Sequence, residues 1–179
     1  MTAQPNYLVL PGYLGSGPEH WQTRWEAADP AFRRVEQADW DRPRLSDWLD
    51  ALDEAVAAEP GPVVLVGHSL GCVLTAHWAA ARPASAVAGA FLVAPADIER
   101  AGVPELENFC PVPLQRLPFP SIVVASTDDP WCTPQRARLF ADAWGARLEF
   151  TGAHGHLNSD SGLGDWPFGR KLLAELPVS

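Results

Sequence analysis

The chain has 179 residues, 47% of them hydrophobic and 20% charged, which suits a single globular domain over 1–179 and excludes wholesale disorder. Its formal charge of −9 at pH 7 argues against nucleic acid or an anionic membrane as partner, because both require a basic face. No apolar run approaches a membrane span, the first residues lack a secretory signal, and three cysteines without metal spacing (Cys72, Cys110, Cys132) read as free thiols of a reducing cytoplasm.

In chain order, "NYLVLPG" (6–12) is a continuous apolar run closed by Pro-Gly, the pattern of a buried parallel strand. The loop "YLGSGPEHW" follows, then a helix to about Ala28 and a weaker strand at 32–37. From Arg44 onward, Leu45, Trp48, Leu49, Leu52 and Val56 recur at helical spacing, and Pro60-Gly61 ends that helix. "PVVLVGH" (62–68) is the most strand-like segment, and an Ala-rich helix (70–81) runs directly from it to Arg82-Pro83. A buried strand spans 87–96. The linker 97–120 holds five prolines and has room for only a short helix or none. "SIVVAST" (121–127) is a strand, Thr133 and Pro134 open a helix that Gly145 closes, 146–152 is the last strand, and 168–176 the last helix. Such alternation predicts an α/β fold: six parallel strands in the order 2-1-3-4-5-6, the first strand central, with helices on both faces.

Gly67-His68-Ser69-Leu70-Gly71 is a G-x-S-x-G placed at a strand-to-helix junction. That junction raises a serine above the sheet edge and aims the N–H groups of the new helix at the same spot, so Ser69 is the candidate nucleophile. A serine hydroxyl needs a base, and the base needs an orienting acid, in the chain order Ser, Asp, His. Acids just past a strand are Asp128 and Asp129, and the loop "TGAHGHLNSDSG" offers His154 and His156. The residues alone leave both choices open.

"LPGYLGSGPEHWQTRWE", "VGHSLGC", "STDDPWC" and "GHLNSDSGLGDWPFG" together resemble the compact serine hydrolases of the retinoblastoma-binding-protein and YdeN type, a minimal branch of the α/β-hydrolase fold. The resemblance covers most of the chain and implies His156 as base and Asp129 as acid. It leaves His154 as a polar loop residue and Asp128 as a turn cap. His77 reads as packing or surface, His68 as pointing away from the nucleophile, and His20 as a supporting residue.

The oxyanion donors are expected to be the Leu70 N–H and, by match to related esterases, the Tyr13 N–H, with Leu14 second. Trp48, Trp78 and Trp144 sit at core spacing, whereas Trp21, Trp131 and Trp166 lie beside the site segments and are candidates for a pocket wall, along with Leu14. With only 97–120 where larger hydrolases insert a lid, the site should be open. The expectation is a cytoplasmic, cofactor-free, metal-free serine hydrolase acting on a small ester-like substrate. The alternatives are a thioesterase or amidase with the same triad, or an interaction module whose catalysis is vestigial.

Overall fold

The computed structural model describes residues 5–178. Its strands are β1 (Asn6–Leu10), β2 (Phe32–Arg34), β3 (Val63–His68), β4 (Val87–Val93), β5 (Ser121–Ala125) and β6 (Arg147–Phe150), forming one six-stranded sheet in the order β2-β1-β3-β4-β5-β6. Every neighbouring pair is parallel. The strand order is the expected one, but β1 lies second from an edge and the centre is formed by β3 and β4. Only β2 is added on the outer side of β1, while the later strands extend the sheet the other way.

The helices are α1 (Trp21–Ala28), α2 (Leu45–Ala57), α3 (Leu70–Ala81), α4 (Ile98–Ala101), α5 (Pro134–Trp144) and α6 (Pro167–Ala174). Side chains alternate along each strand, so the sheet has two apolar faces. Leu8, Leu10, Leu65 and Leu92 pack with Trp48 and Leu52 of α2, Leu74 and Trp78 of α3, and Phe140 and Trp144 of α5. Val9, Val66, Phe91, Val93 and Val124 pack on the opposite face with Trp21 and Trp25 of α1 and Leu172 and Leu173 of α6.

The helix starts have identifiable causes. The Thr133 hydroxyl accepts the Arg136 N–H at 3.3 Å with Pro134 in the first turn, a cap typically worth ~1 kcal/mol. Arg44 gives α2 no side-chain cap, and Asn108 of the linker substitutes by accepting the Leu45 N–H at 2.7 Å.

The linker contains only α4 and a 3-10 turn (Pro104–Phe109), and Ile98, Leu106, Phe109 and Leu117 sink into the core on the α2–α3–α5 face. It is also tied down by Arg136, which donates to both Asp97 oxygens at 2.8 and 2.9 Å. The segment therefore packs down on the fold and forms no sizeable lid. Strands end earlier than the apolar runs suggest. The run 87–96 stops at Val93 because Ala94 turns to φ +50°, and Pro95 has no N–H to continue a ladder.

Candidate active site

The site lies at the C-terminal ends of the strands, where open parallel sheets leave loops free to converge. Ser69 links β3 to α3 at φ 55° and ψ −115°, a strained conformation for a residue with a Cβ, of order 1–3 kcal/mol. The tightness of this junction explains its glycines. A Cβ on Gly71 would fall 2.1 Å from the Leu10 carbonyl oxygen, so α3 can lie this close to β1 only without one. A Cβ on Gly12 would fall 2.9 Å from Ser69 Cβ and 3.2 Å from the Leu70 nitrogen, which places the loop after β1 directly against the serine.

His156 Nε2 lies 2.8 Å from Ser69 Oγ, and its Nδ1 lies 2.9 Å from both oxygens of Asp129. The carboxylate only accepts, so the ring proton sits on Nδ1 and the Nε2 lone pair faces the serine O–H. Asp129 is fixed in turn by the Trp131 N–H, which donates to Oδ1 at 2.8 Å. The structure thus brings Ser69, His156 and Asp129 into one hydrogen-bonded row.

The neighbouring candidates sit elsewhere. His154 is exposed and is held through its backbone, whose N–H donates to Ser126 Oγ at 2.8 Å. Asp128 accepts the Gly155 N–H at 2.8 Å and lies 2.8 Å from Ser126 Oγ; these two bonds lower its carboxyl below the usual range. His77 bonds the Phe109 carbonyl at 2.7 Å, tying α3 to the linker.

On the oxyanion side, Leu70 is the first residue of α3, and its N–H belongs to the unpaired set that opens a helix. Of the two expected donors of that turn, the Leu14 N–H is committed to the Trp40 carbonyl at 3.0 Å. The Leu14 side chain is 62% exposed.

The expected tryptophan wall requires correction. Trp131 is 41% exposed with its ring 6.3 Å from that of His156, and with Pro130 and His156 it lines a cavity of about 480 Å³. Trp21 and Trp166 are only 1% and 4% exposed and face the core, so they present no wall to a substrate. The register of α1 turns Trp21 onto the sheet, and the Trp166 ring lies across Gly169 at the start of α6.

Several polar residues beneath the site have no obvious signal in local spacing. Gln22 is fully buried, donating to the Leu10 and Val66 carbonyls at 3.2 and 3.1 Å and accepting from Ser16 Oγ at 2.7 Å. It joins the ends of β1 and β3 just before the oxyanion turn and the serine. His20 caps α1, its Nδ1 accepting the Gln22 N–H at 3.1 Å, and burial lowers its pKa to about 3. His68, buried at the end of β3, bonds the His156 carbonyl at 2.9 Å, so it points beneath the base loop and not away from the site. A histidine ending an otherwise apolar strand was the available clue. Burial also raises the thiols of Cys72 and Cys132, the latter to about 12 with Asp129 beside it, so neither is a thiolate nucleophile at neutral pH. Among the described residues no cluster of three or more His, Cys, Asp or Glu is placed to hold a metal ion, and no helix is long and apolar enough to cross a membrane.

A model of the serine hydrolase family matches residues 7–175. A YdeN-like hydrolase from Pectobacterium atrosepticum is 33% identical, with 97% of this chain and 90% of that chain covered and a TM-score of 0.87. The ydeN gene product of B. subtilis is 21% identical over 96% and 97% of the two chains, with a TM-score of 0.74. A hydrolase of the alpha/beta superfamily from Xanthomonas campestris pv. campestris is 23% identical over 94% and 99%, with a TM-score of 0.64. None of the curated proteins searched matches the chain.

Proposed function

The chain belongs to the serine hydrolase family, and from that premise we propose that it cleaves small carboxylic esters, with Ser69 as nucleophile, His156 as base and Asp129 as orienting acid. The observation that carries this reading is the row Ser69 Oγ, His156 Nε2, His156 Nδ1, Asp129, with contacts of 2.8 and 2.9 Å. Ser69 Oγ attacks the ester carbonyl carbon while its proton passes to His156 Nε2. Asp129 holds the imidazole in the required tautomer and stabilises the imidazolium that forms. The Leu70 and Tyr13 N–H groups receive the oxyanion, each such donor being worth roughly 10²–10³ in rate. Collapse of the tetrahedral adduct expels the alcohol, which takes the proton from His156. Water, deprotonated by the same His156, then attacks the acyl-serine, and collapse releases the carboxylic acid as His156 returns the proton to Ser69 Oγ.

The preference for small substrates follows from the linker, which packs into the core and leaves the cavity beside His156 bordered by the exposed Trp131. The same triad chemistry also serves thioesters. A series of chromogenic esters of increasing acyl length is expected to give the highest kcat/KM on short chains, with Ser69→Ala losing on the order of 10⁶ in kcat. Efficiency climbing steadily toward long chains contradicts the open site, and turnover retained in the alanine variant contradicts the nucleophile.

A further inference from the structure

The turn that carries His156 is gripped at four consecutive residues by groups outside it. Ser126 Oγ accepts the His154 N–H at 2.8 Å and Asp128 Oδ1 accepts the Gly155 N–H at 2.8 Å. His68 Nε2 bonds the His156 carbonyl at 2.9 Å, and Trp21 Nε1–H donates to the Leu157 carbonyl at 2.9 Å. A carbonyl accepts only, so the His68 proton is on Nε2. We propose that His68 and Trp21 are positioning residues that hold this turn, and through it the imidazole of His156, in line with Ser69.

The inference rests on the reading of His156 as base, and three observations support it. First, Leu157 stands at φ +51°, a left-handed conformation that a residue with a Cβ adopts only where its surroundings impose it. The carbonyls on both sides of that strained point, those of His156 and Leu157, are the ones the two donors hold. Second, His68 and Ser69 are adjacent at the rigid end of β3, and both contact residue 156, one at its carbonyl and the other at its ring. The distance from nucleophile to base is therefore fixed by a bond made one residue before the nucleophile itself. Third, both donors are immobilised. His68 is packed between the rings of His20 (4.6 Å) and His156 (4.9 Å), and Trp21 between those of Trp25 (4.6 Å) and Trp166 (5.0 Å). Burial keeps His68 neutral at working pH, so it opposes no charge to the imidazolium that forms beside it.

Alignment of this kind acts on kcat, since a misplacement near 1 Å costs about 10²-fold in the reacting geometry. The test compares His68→Gln with His68→Met, two side chains of similar length of which only the first carries an N–H donor. Short-ester turnover of His68→Gln is expected to stay near wild type, while His68→Met loses about 10- to 100-fold in kcat at unchanged KM. The second comparison is Trp21→Phe with Trp25→Phe. Both remove an indole from the same cluster, but the Trp25 N–H donates to the Asp165 carbonyl, away from the base. Only Trp21→Phe is expected to lower kcat at unchanged KM, and this pair decides the matter should a His68 variant fail to fold. Equal kcat in the Gln and Met variants, or in the two Phe variants, overturns the proposal. His156→Ala, assayed alongside, separates the premise: residual turnover near wild type removes the base reading, whereas an inactive His156→Ala with a fully active His68→Met and Trp21→Phe removes the positioning role alone.

Discussion

Replacing His20 by Asn tests how far burial of imidazole beneath the site governs the stability of the whole fold. His20 is 2% exposed, and its Nδ1 must be unprotonated to accept the Gln22 N–H. Burial first, then the charges of Arg34 and His156, lower its pKa from 6.5 to about 3. In the unfolded chain the same ring titrates near 6.5. Below that pH the unfolded chain binds a proton that the folded chain refuses, so the contribution to stability is fully present above pH 6.5 and is lost progressively as pH falls toward 3. At 1.36 kcal/mol per unit, the 1.5 units between 6.5 and 5 amount to about 2 kcal/mol. Asn keeps an oxygen to accept the cap bond and does not titrate. Urea unfolding at pH 8 and pH 5 is therefore expected to show wild type losing about 2 kcal/mol more than His20→Asn between the two conditions. His68 is also lowered by burial and is retained in both proteins, so its share largely cancels in the difference. Equal losses in the two proteins refute the assignment of this pH dependence to His20.

Asp129→Asn is expected to lower kcat on a short ester by about 10⁴, because the amide no longer enforces the tautomer that presents Nε2 to Ser69. Asp128→Asn keeps an oxygen for the Gly155 N–H and is expected to cost far less; the two variants are compared side by side at neutral pH with thermal melts to check folding. Gly12→Ala places a methyl 2.9 Å from Ser69 Cβ and is expected to push the Tyr13 N–H out of reach, with a loss of roughly 10²–10³ in kcat measured under saturating ester.

The strand order was legible because apolar runs such as 62–68 and helices such as 70–81 alternate, and right-handed crossovers leave few ways to order them. The ends of the strands were not, since an apolar run continues past the last ladder bond wherever loop residues are also buried, as Ala96 is. The candidacy of Ser69 is legible from its motif and junction together, the junction being the β3–α3 turn that the structure contains. Spacing could not separate His154 from His156, because side chains two apart in a loop are sorted by backbone dihedrals that no periodicity encodes. The resemblance supplied that choice. Sequence adjacency suggests Trp21 and Trp166 for the pocket, but the side of the backbone on which each ring falls is set by packing against the sheet. The bond of His68 to the base-bearing turn, against the expectation that its ring points away, and the buried role of Gln22 are hidden for a related reason. Their partners lie 88 and 44 residues away, at His156 and Val66, and a hydrogen bond across such a separation leaves no local trace.

The central claim, that Ser69 is a nucleophile activated by His156, is tested most directly by mass spectrometry after treatment with a fluorophosphonate. The account predicts one phosphonyl adduct on the peptide bearing Ser69 in the wild-type protein and its loss, or a rate lower by orders of magnitude, in His156→Ala. An adduct on another residue, or labelling of Ser69 at an undiminished rate without His156, contradicts it.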